Sequence, residues 1–307
     1  MSKVLVTGGA GFIGSNTVDL LLEEGYDVAV VDDLSTGKRE NLNPAVHFHK
    51  ADVSSSKLDQ VFKEEKPDFV VHLAAQINVR ESFKDPIYDA GINIMGTVNL
   101  LESCRKNGVE RIVYASSGGA VYGEPEQNPV GEGHPIAPLC PYGVSKYAGE
   151  KYVELYAENY GLDYNILRYG NVYGPRQDPL GEAGVIAIFA GLLHEGRPPV
   201  IFGDGGQTRD FCYVADIAGA NLAGLRESGK SGVYNIGSGV ETSVNDITAE
   251  LIDAMGVDVE PEHSDTVPGE VRHIYLDVSL ADGELGWKPV TGLRDGLSKT
   301  VEWVRNG

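Results

Sequence analysis

The sequence lacks a long uninterrupted run of apolar residues, and it contains few cysteines and few basic residues. A membrane-spanning helix needs about 18 or more consecutive apolar residues, and no segment of this chain approaches that length. Residues 1–7 lead directly into a strand pattern instead of a basic segment followed by an apolar one. We therefore expect a cytoplasmic protein that does not bind membranes.

The three cysteines, Cys104, Cys140 and Cys212, lie far apart, and none belongs to a CxxC pair. An odd and scattered set of cysteines argues against a disulfide framework and against a zinc site of the usual spacing. We expect free thiols and no metal site.

Basic residues number 25 against 45 acidic ones, which gives a formal net charge of -20. A negative surface repels phosphate backbones, so the composition argues against nucleic-acid binding. Any phosphate-bearing ligand must be held in a local pocket. Hydrophobic residues make up 42% of the 307 residues, which is enough for a buried core.

Short apolar runs alternate with helix-like segments over the first two-thirds of the chain. The strand-like runs are 3–7, 28–32, 69–73 and 111–116, and the helix-like segments are 15–24, 57–63 and 92–107. Gly25 and Gly108 stand where helix-terminating glycines belong. The alternation predicts βαβ units and an α/β fold with a doubly wound parallel sheet of the Rossmann type.

A glycine-rich segment, TGGAGFIG at 7–14, follows the first predicted strand and precedes a helix. It satisfies both GxGxxG and GxxGxxG. Glycines here let the backbone turn sharply and approach a pyrophosphate, which then lies on the positive N-terminal end of the helix. The segment predicts dinucleotide binding. The predicted contacts are Gly8, Gly11, Phe12, Ile13 and Gly14.

An acidic pair, Asp32 and Asp33, ends the second predicted strand about 18 residues beyond Gly14, where a carboxylate can accept hydrogen bonds from the adenosine ribose. Such a carboxylate repels a 2′-phosphate, and no arginine follows directly, so NAD is favoured over NADP. We assign the ribose role to Asp32, because Asp33 could instead cap the next turn. Asp52, followed by Val53, could contact the adenine edge or could be a solvated turn residue.

The less regular pattern from Pro175 onward, rich in glycine and proline, predicts a smaller C-terminal lobe. We expect residues 1–174 to form the NAD-binding domain and residues 175–307 to form mainly a substrate-binding lobe. Two strand-like runs, 164–168 and 233–236, could both join the main sheet. The segment 208–240 is therefore expected to return to the first domain.

Tyr142 and Lys146 form a YxxxK pair at the start of a predicted helix. A spacing of four residues places both side chains on one helix face, where the ammonium can favour the tyrosinate form. This effect would lower the tyrosine pKa from its usual value of about 10. The pair therefore predicts a general base that works near neutral pH.

The order of motifs resembles the extended short-chain dehydrogenase/reductase family over nearly the whole chain, and the spacing is most similar to that of its UDP-hexose 4-epimerases. The motifs are TGGAGFIG, Asp32, HLAAQ (72–76), Asn93, SSGGAVYG (116–123), PYGVSK (141–146), RYGNVYGPRQ (168–177), TRDFCYV (208–214) and NIGSG (235–239). The resemblance implies 4-epimerisation of UDP-glucose and UDP-galactose with enzyme-bound NAD. It also implies a homodimer packed through the helices around 92–107 and 145–160.

The resemblance implies a role for each residue of the catalytic site. Tyr142 would be the base, Lys146 would bind the nicotinamide ribose, and Asn93 would support the hydrogen-bond network. Many relatives place Ser or Thr four residues before the tyrosine of the VYG element, where this chain has Gly118. Three sources of the hydroxyl remain, of which we favour the first: Ser117, Ser116 or water. Further cofactor contacts implied by the HLAAQ motif are Leu73, Ala74 and Ala75.

The resemblance also implies a UDP-sugar site in the second lobe. Asn171 and Arg209 would bind the diphosphate, with Arg272 as a further phosphate ligand, although either arginine could instead form a surface ion pair. Phe202 would line the uracil pocket. Ile274 would lie beside the 2-substituent of the sugar, or it would instead pack into the core and not reach the sugar. Many relatives have an arginine before a Pro-Gly-acid turn, but this chain reads VPGE at 267–270.

Three alternatives remain. One is epimerisation of another UDP-sugar, such as an N-acetylhexosamine, a uronic acid or a pentose. A sugar-nucleotide dehydratase or decarboxylase is disfavoured, because sugar 4,6-dehydratases carry an Asp-Glu pair where this chain has Gly119 and Ala120. A non-catalytic NAD-sensing protein is disfavoured, because four residues of the expected site are present together: Tyr142, Lys146, Asn93 and Arg209.

Overall fold

The computed structural model describes residues 2–179, 184–226, 230–266 and 271–306. The expectation about 267–270 therefore lies outside the described residues. Within these ranges, no helix has the length and apolar character needed to span a membrane. The same ranges contain no group of three or more His, Cys, Asp or Glu side chains that could hold a metal ion.

The chain forms strands and helices in close alternation. The strands are β1 (Lys3–Thr7), β2 (Asp27–Asp32), β3 (His47–Lys50), β4 (Phe69–His72), β5 (Arg111–Ser117), β6 (Asp163–Tyr169), β7 (Asn171–Tyr173), β8 (Val200–Phe202), β9 (Thr208–Tyr213), β10 (Gly232–Ile236), β11 (Glu241–Ser243) and β12 (Glu262–Ser264). The helices are α1 (Phe12–Glu23), α2 (Lys57–Glu65), α3 (Val79–Lys84), α4 (Pro86–Ala90), α5 (Thr97–Asn107), α6 (Gly118–Val121), α7 (Pro141–Tyr160), α8 (Val185–His194), α9 (Val214–Arg226), α10 (Val244–Met255), α11 (Ser279–Leu285) and α12 (Leu293–Asn306). A 3-10 turn spans Arg39–Asn41, and a π-helical turn spans Gly91–Gly96.

Seven parallel strands form the main sheet in the order β10-β6-β5-β4-β1-β2-β3. The strand order reverses direction between β1 and β4, and ligands of such sheets bind in the crevice at that point. The predicted α/β fold with a Rossmann-type sheet is confirmed, and the first predicted strand has the same bounds as β1.

Both faces of the sheet are covered, which explains the nearly continuous apolar strands. Side chains alternate between faces along a strand. Val4 and Val6 of β1 therefore belong to one buried cluster with α1 and α9, while Leu5 belongs to the opposite cluster with α2, α5 and α7. An apolar residue at every position is what a strand buried on both faces requires.

The second lobe has its own small sheet and its own apolar cluster. Its three-stranded sheet has the order β11-β9-β7, and α8, α10 and α12 bury a third cluster beside it. The segment 208–240 is divided between the lobes, since β9 pairs in the small sheet while β10 joins the main one. The boundary near residue 174 remains a prediction.

The predicted helix 92–107 is interrupted at its start. A π-helical turn at Gly91–Gly96 stands between α4 and α5, and it carries Asn93. Such turns occur frequently at functional sites, because they re-aim side chains.

Candidate active site

A deep cleft of about 1080 Å³, part of it open to solvent, lies at the carboxyl ends of the central strands. It contains every predicted cofactor contact except Asn93. These are Gly8, Gly11, Phe12, Ile13, Gly14, Asp32, Asp33, Asp52, Val53, Leu73, Ala74, Ala75, Tyr142 and Lys146. The fold therefore brings residues from across the first 146 positions into one site.

The glycine loop leaves no space for side chains. Gly8 has a positive φ of 68°, and a β-carbon on Gly8 would lie 2.7 Å from the backbone nitrogen of Ala74. A β-carbon on Gly14 would lie 2.1 Å from the carbonyl oxygen of Gly8. Helix α1 begins directly after Gly11, which has no side chain to cap it. The first amides of α1 are thus available to an anionic group in the cleft, which fits a pyrophosphate.

Asp32 anchors the loop and stands at the cleft wall. Its Oδ2 accepts a hydrogen bond from the Ala10 amide at 2.9 Å, and its Oδ1 accepts one from the Leu34 amide at 2.8 Å. Burial raises the pKa of this carboxyl group, although both backbone bonds oppose the rise. Each carboxylate oxygen retains a second lone pair, so Asp32 can also accept a ribose hydroxyl.

Asp33 and Asp52 each close a turn at the rim of the cleft. Asp33 accepts hydrogen bonds from the Ser35 amide and hydroxyl at 2.8 and 2.6 Å. Asp52 accepts the equivalent pair from Ser54 at 2.7 and 2.8 Å. The turn-capping alternative therefore describes what both carboxylates do within the chain, and both still line the cleft.

Helix α7 carries the predicted catalytic pair. Cys140 caps its start, with Sγ accepting from the Gly143 amide at 3.3 Å, and Pro141 occupies the first turn, where a missing amide hydrogen costs nothing. Tyr142 and Lys146 follow one turn apart and both line the cleft. The Lys146 ammonium lies 4.7 Å from the centre of the Tyr114 ring.

Burial dominates the acid–base properties of this pair. Burial raises the pKa of Tyr142 to about 12, and a hydrogen bond with the Ser117 side chain opposes that rise. Burial also lowers the pKa of Lys146 to about 8, against the opposing charges of Glu150 and Asp89. The predicted lowering of the Tyr142 pKa is thus not found within the chain, because the loss of hydration is the largest influence on that pKa.

The two serines at the end of β5 face different partners. Ser117 hydrogen-bonds Tyr142, whereas the Ser116 hydroxyl donates to Glu150 Oε1 at 2.5 Å. Both partners belong to α7, with Tyr142 in its first turn and Glu150 two turns further along. The contact with Tyr142 supports the choice of Ser117. Ser116 is the serine that lines the cleft, and its hydroxyl is bound to Glu150.

Asn93 lies behind the cleft wall and holds it in place. Its Oδ1 accepts from the Gln76 amide at 2.9 Å, and its Nδ2 donates to the Gln76 carbonyl at 2.9 Å. Nδ2 also lies 3.1 Å from Ser145 Oγ on the catalytic helix. Gln76 itself lines the cleft, so Asn93 acts through it.

Several cleft residues were missed by the sequence-based assignments. Those missed are Val31, Ser35, Thr36, Ala51, Gln76, Ile77, Tyr88, Ile92, Ala115 and Tyr169. Ala115 and Tyr169 lie near the carboxyl ends of β5 and β6, where the binding edge of a parallel sheet is expected. That rule could have identified both.

The predicted UDP ligands Asn171, Arg209 and Arg272 lie at or beside the small sheet, outside this cleft. Asn171 on β7 pairs in register with Phe211 of β9, the strand that carries Arg209. The Arg209 guanidinium donates to the Thr208 carbonyl at 2.7 Å, and the Thr208 amide donates to the Arg272 carbonyl at 2.9 Å. The structure thus places both arginines beside one short stretch of β9.

Phe202, at the end of β8, is 43% exposed and available to a planar ligand. Arg272 Nη2 lies 2.8 Å from Asp204 Oδ2, and this hydrogen bond lowers the pKa of Asp204 to about 2. The ion pair named as the alternative for Arg272 is therefore present.

Ile274 is only 2% exposed. It packs in a small buried cluster with Val121, Tyr122, Val130 and Leu276, and its amide faces the Thr208 carbonyl at 3.4 Å. Its position adjoins the SSGGAVYG segment but not the nucleotide cleft.

Comparison with known proteins agrees with this geometry. Residues 4–237 match the family described as "NAD dependent epimerase/dehydratase family". The chain belongs to that family. NAD is its cofactor, and the glycine loop and Asp32 fit it.

Individual members of the epimerase/dehydratase family are similar over their full lengths. The UDP-glucose 4-epimerase of Mycolicibacterium smegmatis is 45% identical over 99% of each chain. The crystal structure of the Thermotoga maritima UDP-glucose 4-epimerase with UDP-glucose has a TM-score of 0.97 at 46% identity, with 99% of each chain covered. The Thermus thermophilus UDP-glucose 4-epimerase in complex with NAD has a TM-score of 0.93 at 43% identity, again over 99% of each chain.

Proposed function

We propose that this protein is a UDP-glucose 4-epimerase, which interconverts UDP-glucose and UDP-galactose. The observation that carries the proposal is that Tyr142 and Lys146 line the same cleft as the dinucleotide loop, with Ser117 hydrogen-bonded to Tyr142. The similarity to two UDP-glucose 4-epimerase structures over 99% of the chain supports the same activity.

Each residue of the site has its own role in the proposed reaction. Bound NAD supplies the chemistry of accepting and returning the hydride of sugar C4. Tyr142 takes the proton of the 4-hydroxyl and later returns it, and Ser117 hydrogen-bonds the Tyr142 phenol. The 4-keto sugar turns about its phosphate linkage between the two steps, while Asn171, Arg209 and Phe202 hold the UDP portion.

The pKa of Tyr142 must fall when the site is filled. A phenol whose pKa is about 12 is a poor proton acceptor at neutral pH. The Lys146 ammonium and the positive charge of the nicotinamide both favour the tyrosinate. We therefore expect Tyr142 to act as a base only when the cofactor is bound.

The sugar preference follows from the proposed wall beside its 2-substituent. Ile274 is β-branched and stiff, so it cannot swing aside as a long flexible chain does. We expect UDP-glucose and UDP-galactose to react faster than UDP-N-acetylhexosamines. Elimination chemistry is disfavoured, since Gly119 and Ala120 offer no acid and base.

The proposed homodimer would bury apolar side chains that the single chain exposes. Helix α7 exposes Val144, Tyr152 and Leu155, and Ile87 of α4 and Met95 of the π-helical turn are 84% and 62% exposed. An exposed apolar patch of this kind is typical of an interface. Leu155→Glu should yield monomers by light scattering, whereas the surface change Val290→Glu should leave the wild-type mass unchanged.

The activity is tested by incubating the purified protein with single UDP-sugars and analysing the products for C4 epimers. The panel contains UDP-glucose, UDP-galactose, UDP-N-acetylglucosamine, UDP-glucuronic acid and UDP-xylose. We expect UDP-glucose and UDP-galactose to give the same equilibrium mixture from either side without added NAD. Turnover of only another sugar would move the assignment to that substrate, and no turnover of any would refute it.

A further inference from the structure

Glu150 is a fully buried carboxylate on the catalytic helix, and the mechanism above does not use it. It lies one turn beyond Lys146 and two turns beyond Tyr142, so all three lie on one face of α7. Its exposed fraction is 0%. A carboxylate at such a depth is stable only when it is paired and hydrogen-bonded.

The partners of Glu150 come from two neighbouring strands. Arg168 on β6 binds both oxygens, with Nε 2.9 Å from Oε1 and Nη2 2.6 Å from Oε2. Ser116 at the end of β5 donates to Oε1 at 2.5 Å. Arg168 also donates to the Tyr122 hydroxyl at 2.9 Å, so the network continues beyond the ion pair. One carboxylate therefore ties α7 to β5 and β6.

The hydrogen bonds of Glu150 have a geometric consequence for Ser117, the neighbour of Ser116. Ser116 and Ser117 are adjacent on β5, and their partners Glu150 and Tyr142 both lie on α7. Ser117 is the residue that hydrogen-bonds Tyr142. When Glu150 holds Ser116, it also fixes the position of the Ser117 hydroxyl relative to the catalytic helix.

The tie also has an electrostatic consequence for Lys146. The groups that face Lys146 are Asp89 from α4, His72 from β4, Tyr114 from β5, and Tyr142 and Glu150 from its own helix. His72 is neutral near pH 7, because burial lowers its pKa to about 3. Burial lowers the pKa of Lys146 as well, and among the charges that oppose this, Glu150 has the largest effect and Asp89 the next.

We propose that Glu150 is a positioning residue of the reaction, which holds the Ser116–Ser117 strand end beside Tyr142 and supplies the negative charge that keeps Lys146 an ammonium. The inference rests on the proposed epimerase function. The proposed role of Glu150 differs from that of a purely structural ion pair. It predicts that substitution of Glu150 changes the proton affinity of Lys146 as well as the stability of the protein.

Glu150→Gln preserves the side-chain shape and removes the charge. The pKa of Lys146 should then fall below about 8, so the limb of the kcat–pH profile that Lys146 governs should move toward lower pH by about one unit. The kcat should fall about tenfold through loss of alignment, with the KM for UDP-glucose nearly unchanged.

The single variant leaves the Arg168 charge buried without its partner, which could unfold the protein. The double variant Glu150→Gln with Arg168→Met removes both charges and keeps a similar volume. The kcat–pH profile of the double variant should shift toward lower pH as that of Glu150→Gln does, because the negative charge that is lost lies on the helix of Lys146. Glu150→Asp keeps the charge on a shorter stem and should restore the wild-type pH profile while kcat stays reduced.

The experiment records kcat against pH for wild type and these variants, using protein with wild-type circular dichroism and NAD content. Glu154→Gln is the matched control, since Glu154 is on the same helix but pairs with Lys151 at the surface at 2.6 Å. Its profile should match that of wild type. If the double variant also matches wild type and loses only thermal stability, Glu150 is a structural ion-pair residue and the inference is overturned. If the wild-type protein itself converts no UDP-sugar, the proposed function is refuted, which is a different result from a failure of the inference about Glu150.

Discussion

Leu276 fills the space beside Gly118, where a β-carbon would lie 2.7 Å from Leu276 Cδ1. Gly118 itself offers no hydroxyl, and its neighbour at this point is an apolar side chain. Leu276 is 1% exposed and packs with Val121 and Ile274. Gly118 and Leu276 therefore complement each other in size, and substitutions at the two positions test this contact.

Gly118→Ser should destabilise the protein by about 1–3 kcal/mol, because the added atoms overlap a packed core. Thermal unfolding at fixed NAD concentration measures this cost. In a Leu276→Ala background the same change should cost clearly less, since the space is then free. Equal costs in both backgrounds would show that the two side chains do not compete.

Tyr142→Phe should keep the fold and the bound NAD but lower kcat by about 10²–10⁴-fold, because it removes the proton acceptor and keeps the ring. Circular dichroism and the NAD content of the denatured protein provide the controls. Turnover within tenfold of wild type would remove Tyr142 from the catalytic role.

Ser117→Ala should lower kcat more than Ser116→Ala does. Ser117 hydrogen-bonds the Tyr142 phenol directly, whereas Ser116 acts only through Glu150. Steady-state kinetics at several pH values compare the two, and the pH profile of Ser116→Ala should stay in place. Equal small effects would indicate that water supplies the hydroxyl.

Asp32→Ala should weaken the preference for NAD over NADP, because the carboxylate that repels a 2′-phosphate is removed. It also deprives the Ala10 and Leu34 amides of their acceptor, so total affinity should fall as well. Binding constants for both cofactors are measured by calorimetry on protein stripped of nucleotide. Asp33→Ala is the control and should keep the preference; if the two variants behave alike, Asp32 is not the selective residue.

Ile274→Ser should raise the ratio of kcat/KM for UDP-N-acetylglucosamine to that for UDP-glucose, if the buried side chain forms the wall beside the sugar. It should also lower the melting temperature, because a 2% exposed apolar group is replaced by a smaller polar one. Kinetics with both sugars separate the two effects. An unchanged ratio in a less stable protein would assign Ile274 to the core alone.

The fold and the cofactor loop could be predicted because their causes are local. Alternating apolar runs, the glycines of 7–14 and the acidic end of β2 depend on spacing along the chain and on backbone freedom. The spacing of four residues likewise predicted that Tyr142 and Lys146 share one face of a helix. These local features determined the sheet and the cofactor, and they predict a general base.

Only the tertiary structure decided which polar groups meet and how deeply they are buried. The sequence shows two adjacent serines, but the packing of β5 against α7 places Ser117 beside Tyr142 and Ser116 beside Glu150. Spacing predicted a lowered pKa for Tyr142, and burial raised it, because desolvation depends on the packing of distant segments. Leu276 reaches Gly118 across more than half of the chain for the same reason: contacts between remote residues arise from the fold and leave no local pattern.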